Sequence, residues 1–206
     1  MRSLFPVIIL FVALSCFQVL AGSVTDYTAE GVTLYNQGQY EKAIEMFDKT
    51  LALAPQDLEA LNGKGKAYKG LEKYSESLAL YDKAIGIDPT YKKAWNNKGN
   101  TLTYMGRYDE AIVMFDKALE IDPGYAKAWS NKGWCLTEAK RYEDALSCLE
   151  KATTLDPQYA PGWSNKGDAL HALGRNDEAI VAYDQALALD PGLTEASDGK
   201  SAISGA

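Results

Sequence analysis

The sequence predicts an all-α fold, a solenoid of stacked two-helix units, on three observations. Five prolines, Pro55, Pro89, Pro123, Pro157 and Pro191, stand 34 residues apart. A glycine keeps the same beat at Gly31, Gly65, Gly99, Gly133 and Gly167. A large residue holds the fourth position of each unit, at Tyr27, Leu61, Trp95, Trp129 and Trp163. Thirty-four residues suit one helix–turn–helix unit of a stacking array. Each proline removes a backbone donor and restricts its predecessor, so it stops the second helix of its unit.

Residues 1–21 are of a different kind. Arg2 precedes an apolar run from Val7 to Leu14, and Val19-Leu20-Ala21 leads into a polar start at Gly22-Ser23. That is the layout of a secretory signal peptide cleaved after Ala21, so the expected location is extracytoplasmic. The run falls short of the roughly 20 apolar residues that span a bilayer. An uncleaved membrane anchor over residues 4–21 is the rival reading. Lipid attachment at Cys16 is disfavoured, because Ala13-Leu14-Ser15 lacks a large aliphatic residue three places before the cysteine.

The units then run 24–57, 58–91, 92–125, 126–159 and 160–193. Their first helices are expected near 25–37, 58–71, 92–105, 126–139 and 160–173, and their second near 41–53, 75–87, 109–121, 143–155 and 177–189. Gly38, Gly106 and Gly174 stand at the turn between them, where a left-handed residue ends a helix. Glu72 and Lys140 hold that place in units two and four, at a cost of about 1 kcal/mol each, so those turns are expected to differ slightly. No single unit buries enough apolar surface to fold alone, which makes 24–193 one array. After Pro191, Ser197 replaces the bulky anchor, Ser201 replaces the glycine, and Gly199 and Gly205 lower helix propensity. Residues 194–206 are therefore expected as a frayed tail, leaving the last second helix open to self-association as a homo-oligomer.

Further positions keep the beat. The eleventh is Leu34, Tyr68, Leu102, Leu136 and Leu170; the twentieth is Ala43, Ser77, Ala111, Ala145 and Ala179. The twenty-fourth is Phe47, Tyr81, Phe115, Leu149 and Tyr183, and the twenty-seventh Thr50, Ala84, Ala118, Ala152 and Ala186. Large residues fall on one helical face, and small ones where two helices approach closely. The pattern over 24–193 resembles the tetratricopeptide repeat. The resemblance implies a right-handed α-solenoid whose first helices line a concave groove, and a non-catalytic scaffold that binds a protein or peptide there.

Carried over by position, that groove takes Glu59, Asn62, Lys66 and Lys69 from unit two, and Lys93, Asn96, Asn100, Thr103 and Tyr104 from unit three. Unit four gives Lys127, Ser130, Trp134, Thr137 and Glu138; unit five gives Ser164, Asp168 and His171. Lysine and asparagine gather in the middle and acids toward the C-terminal end. Asn62, Lys66, Asn97 and Lys127 come near the family's clamp for a terminal carboxylate, but lysine and asparagine are exchanged and Asn131 stands where a base is expected. A broader preference for extended acidic or polar peptides is the other reading. Trp134 stands out, since its counterparts are Val32, Lys66, Asn100 and Asp168 and the repeat requires no indole there. Buried aromatic anchors are typical binding hot spots; packing between neighbouring first helices is the alternative. Trp95, Trp129 and Trp163 are core anchors.

The seventh position is lysine at Lys64, Lys98, Lys132 and Lys166, in the units that also carry Asp88, Asp122, Asp156 and Asp190 at the thirty-first. Each ammonium is expected to meet that aspartate or the acid at the twenty-fifth position, or else the two are habits of sequence without contact. Cys135 and Cys148 fit as small packing residues. A disulfide between them needs Cα atoms within about 7 Å, which repeat arithmetic leaves open.

The net charge of −7 argues against a nucleic-acid binder and, apart from residues 4–21, against a membrane-surface protein. His171 is the only histidine, without a positioned nucleophile beside it, so neither a triad nor a dyad has candidates. No metal spacing and no phosphate loop is present, and no cofactor is expected.

Overall fold

A computed structural model describes residues 24–205. The signal-peptide reading of residues 1–21 lies outside them. The first helix, α1, is described over 24–36. Then follow α2 (Tyr40–Leu53), α3 (Leu58–Gly70), α4 (Tyr74–Ile87), α5 (Lys92–Tyr104), α6 (Tyr108–Ile121), α7 (Ala126–Glu138), α8 (Tyr142–Leu155), α9 (Ala160–Ala172), α10 (Asn176–Leu189) and α11 (Thr194–Ser204). Among the described residues there is no strand. The expected boundaries of α1 to α10 hold to within about one residue. The fold class is the expected one, all-α and built from helix–turn–helix repeats.

The chain groups into two compact units, Met1–Pro89 and Thr90–Ala206. In the first, α3 packs on both α2 and α4. In the second, each helix packs on its successor, and α5, α7, α9 and α11 also pack on one another in turn. Acidic residues open the second helices, such as Glu76, Glu110, Asp144 and Glu178, where the helix dipole favours negative charge.

All five intra-repeat turns share one bonding pattern, and the two without glycine differ slightly in φ, as expected. Gly38, Gly106 and Gly174 have φ of 73°, 72° and 75°, and Glu72 and Lys140 follow at 59° and 60°. Each turn carries the same pair of backbone bonds. Arg107 N donates to Leu102 O at 2.9 Å and Gly106 N to Thr103 O at 2.9 Å; Arg141 and Lys140 donate to Leu136 and Thr137 at 2.8 and 2.9 Å. Two bonds that satisfy the helix's last carbonyls hold even a side chain with a Cβ in the left-handed well.

The core is a stack of rings against glycines. A Cβ at Gly65 would stand 2.7 Å from the Tyr81 ring, and one at Gly99 would stand 2.9 Å from Phe115. The eighth position is glycine because the twenty-fourth residue lies on that helix. Trp129 and Trp163 are only half-buried, not fully core. Their indole N–H groups donate to Pro123 O at 2.9 Å and Pro157 O at 3.0 Å, tying each inter-repeat loop to the helix that follows it.

The lysine partner is settled in three repeats. Lys64 meets Asp48 at 2.5 Å, and Lys132 meets Asp116 at 2.6 Å. Lys200, seventh from Thr194, meets Asp184 at 2.6 Å. The partner is thus the twenty-fifth residue of the preceding unit. The thirty-first aspartates do other work. Asp122, Asp156 and Asp190 accept from the backbone N–H groups of Gly124, Gln158 and Gly192 at 2.9, 3.1 and 3.0 Å, closing the turn around each proline. Lys92 and the Gly124 N–H hold the Asp122 carboxyl below its usual range.

Residues 194–204 are a helix and not a frayed tail. Ala196 is fully buried with Leu170, Tyr183 and Ala186, while Leu193 and Ile203 pack against the same cluster. Gly199 carries no Cβ to meet the Tyr183 ring, so the residue that lowers helix propensity is the one that lets α11 dock. Cys135 and Cys148 are both buried and free of any disulfide, and burial pushes both thiols up.

Candidate functional site

The groove residues divide between the two units. In the second, α5, α7 and α9 lie side by side, so equivalent positions form rows across their shared face. Lys93 and Lys127 stand exposed at the N-terminal ends of α5 and α7. Asn100, Trp134 and Asp168 follow in the middle, each half-buried. Tyr104 and Glu138 close the row at the C-terminal ends, and both are exposed. Thr137 is half-buried and donates to Gly133 O at 3.2 Å.

The aromatic pair is the most distinctive feature. The Tyr104 side chain is 55 % exposed. Its ring centroid lies 5.1 Å from that of Trp134, the planes tilted by 55°, a favourable arrangement for two ring quadrupoles. Trp134 therefore packs against the first helix of the neighbouring repeat (the first helix of each repeat is its A helix, the second its B helix) and still reaches the surface. The packing alternative is the one this contact bears on.

The fifth position departs from expectation. Asn96, Ser130 and Ser164 are buried. Asn131 Nδ2 donates to Asn96 Oδ1 at 3.0 Å, and Asn165 Nδ2 donates to Ser130 Oγ at 3.0 Å. Asn96 is thus a seam between A helices and not a groove residue, and Asn131 is held in the same seam. Thr103 is also buried, bonded to Gly99 O at 3.0 Å. The signal for the partner of the sixth-position amide was a polar residue 35 positions earlier. At Ser164 the ladder stops, because the next sixth position is Gly199, and among the described residues its Oγ has no partner.

Asp168 is half-buried, and its carboxylate accepts from the Tyr183 hydroxyl at 2.7 Å. Burial is the main cause that raises its proton affinity; the Tyr183 bond opposes it, Glu138 and Glu195 add to it, and His171 subtracts. Burial and the Asp168 bond push the Tyr183 hydroxyl up in turn. His171 is exposed, with Nδ1 at 2.8 Å from Asn176 Oδ1. Among the described residues no cluster of His, Cys, Asp and Glu could hold a metal.

In the first unit, Lys66 sets its ammonium 4.1 Å from the centre of the Tyr35 ring. Asn62 and Lys69 are half-buried and Glu59 is exposed. Taken by unit, these faces offer rings, ammonium groups and carboxylates.

Repeating helix pairs with a varied A-helix face define a helical-repeat protein. Models of the tetratricopeptide repeat match residues 28–92, 93–125, 126–159 and 160–193, and the chain belongs to that family. Solved structures share the fold. TTC0263, a thermophilic TPR protein of Thermus thermophilus, is 21% identical with a TM-score of 0.81, covering 89% of this chain and 100% of that one. PilF of Pseudomonas aeruginosa is 18% identical at a TM-score of 0.71, covering 89% and 90%. YrrB, described as a TPR protein with an unusual peptide-binding site, is 24% identical at a TM-score of 0.57, covering 84% and 90%. No curated protein matches the sequence.

Proposed function

We propose that this chain is a non-catalytic interaction module that holds an extended segment of a partner protein against its A helices. The observation that carries the reading is the pair of exposed Tyr104 and half-buried Trp134, at positions the repeat leaves free to vary. Tetratricopeptide proteins bind peptides and proteins as a class, and YrrB carries a peptide site. The surface for the alternative, assembly through an uncapped C-terminal end, is covered by α11. The module works outside the cytoplasm on this reading, which rests on the sequence of residues 1–21. Mass spectrometry of the mature chain tests that part; an intact Met1 in a cytoplasmic fraction ends it.

Trp134→Ala tests the site. A truncated aromatic hot spot costs about 2 kcal/mol, so partner affinity should fall about thirtyfold, while circular dichroism keeps its helical signal. Photo-crosslinks from a bound partner should fall on α5, α7 and α9. Crosslinks confined to the B helices, with full retention by the alanine variant, would move the site elsewhere.

A further inference from the structure

Unit five departs from unit four at one crevice, on the side of α9 turned away from the groove. Counted at about 3.6 residues per turn, Trp163, Lys166 and Leu170 fall on the face of α9 opposite Asp168. Glu178, Val181 and Ala182 of α10 complete the lining of a crevice of about 300 Å³. Val181 is 69 % exposed, the highest value among the described large apolar side chains.

Three exchanges open this place. Lys64, Lys132 and Lys200 each meet an aspartate of the preceding repeat, at 2.5, 2.6 and 2.6 Å. Lys166 is matched instead with Glu150, one methylene longer, and among the described residues no ion pair joins the two. Glu150 acts on Arg175, where it adds to the larger effect of Glu178. Lys151 lies 4.4 Å from the centre of the Trp129 ring, whereas its counterpart in unit five is the uncharged Gln185. The exposed Ser147 of unit four gives way to Val181.

The outcome is an ammonium 5.4 Å from the centre of the Trp163 ring, beside an apolar wall and without an aspartate of its own. The Glu178 carboxylate is engaged by Arg175, which donates to it at 2.7 and 2.6 Å. That bond holds the Glu178 carboxyl below its usual range, and Lys166 adds a smaller part. Asp177 stands exposed at the rim, where it repels any further carboxylate.

We propose that this crevice takes an aspartate side chain of a partner protein together with the apolar residue that follows it, the aspartate standing where unit four lacks one. Lys166 receives that carboxylate as Lys132 receives Asp116, and Leu170, Val181 and Ala182 bed the apolar side chain. Asp177 limits the segment to a single acid. The site is separate from the A-helix groove.

The test uses the whole chain with 13C-methyl valine. The readout is the pair of Val181 methyl resonances, assigned by their loss in Val181→Ala. Two peptides capped at both ends read Gly-Ser-Asp-Leu-Gly-Ser and Gly-Ser-Asn-Leu-Gly-Ser; a third keeps the asparagine and leaves its C-terminal carboxylate free. The aspartate peptide should move the resonances with an affinity about threefold or more above its asparagine twin. Glu150→Asp shortens the acid without changing its charge, so it should close the Lys166 pair and cut that affinity about threefold. Lys166→Gln should do the same, with the helical signal unchanged in both variants. Trp134→Ala should leave the response as it is, so the groove reading stands or falls separately. Equal responses to the first two peptides overturn the proposal, as does a Glu150→Asp chain that binds as well as the parent. A third peptide that binds more tightly than the first moves the occupant to a chain terminus and overturns it too. So does a Val181 signal that no peptide moves up to millimolar concentration.

Discussion

Ser130 and Ser164 hold the same place in successive A helices, and their hydroxyls have opposite fates. Ser130 Oγ accepts from Asn165 Nδ2, whereas Ser164 Oγ faces a glycine where the next asparagine would be. Removing an acceptor leaves the half-buried Asn165 amide unpaired, at a cost of about 1 kcal/mol, while removing an unpaired hydroxyl relieves a desolvation penalty of about 1 kcal/mol. Ser130→Ala should therefore lower the urea midpoint and Ser164→Ala raise it; the same sign for both would contradict the ladder. Asp168 makes a second residue-scale case. Its proton affinity is raised in the fold, chiefly by burial. A carboxyl so shifted contributes stability that is full below the ordinary aspartate range and lost as pH rises through its folded value. Asp168→Asn keeps an acceptor for Tyr183 and drops the charge that burial, Glu138 and Glu195 oppose. The variant should melt above the parent at pH 7, with the gap closing toward pH 4; a gap that widens in acid would refute the assignment.

Elements were the most legible level of the sequence, because their signals are local. Proline ends a helix, glycine permits a left-handed turn, and a 3.6-residue period marks a buried face, each within a few residues. Side-chain partners were less legible, since they are set between units. Lys132 reaches Asp116 of the preceding repeat, a pairing that counting within one unit cannot find. The groove list failed at its fifth position for a related reason. Asn96 is polar, which suggests a wet surface, yet Asn131 satisfies its amide oxygen and lets it stay 1 % exposed. Glu72 and Lys140 take the left-handed turn with a slightly smaller φ than the glycines. Their left-handed cost of about 1 kcal/mol is real, but it is offset by the two backbone bonds that close each turn. The tail misled most. Gly199 and Gly205 count against a helix by propensity alone, yet Gly199 leaves the room Tyr183 occupies and Gly205 ends the helix at φ 69°. Tertiary packing overrode propensity there.

At the scale of the molecule, α11 covers the apolar face that the fifth repeat would otherwise leave open. A repeat array must cover its last apolar face with something polar outside. Helix α11 meets that need: Ala196 is buried, while Glu195, Asp198 and Ser201 face solvent. It continues the repeat's own devices, with Lys200 on Asp184 and Gly199 under the Tyr183 ring. A chain ending at residue 193 loses all three and opens the cluster of Leu170, Ala182, Tyr183 and Ala186 to water. That truncation should melt lower by about 5–10 °C, the shift expected for a few kcal/mol in a protein of this size. It should also self-associate, since a newly exposed apolar face next to an ordered repeat edge is an interaction surface. Sedimentation velocity of the two chains at matched concentrations measures the difference. The full chain is expected to stay monomeric where the truncated one forms larger species. A full chain that associates equally well would place assembly on a surface other than the one α11 covers.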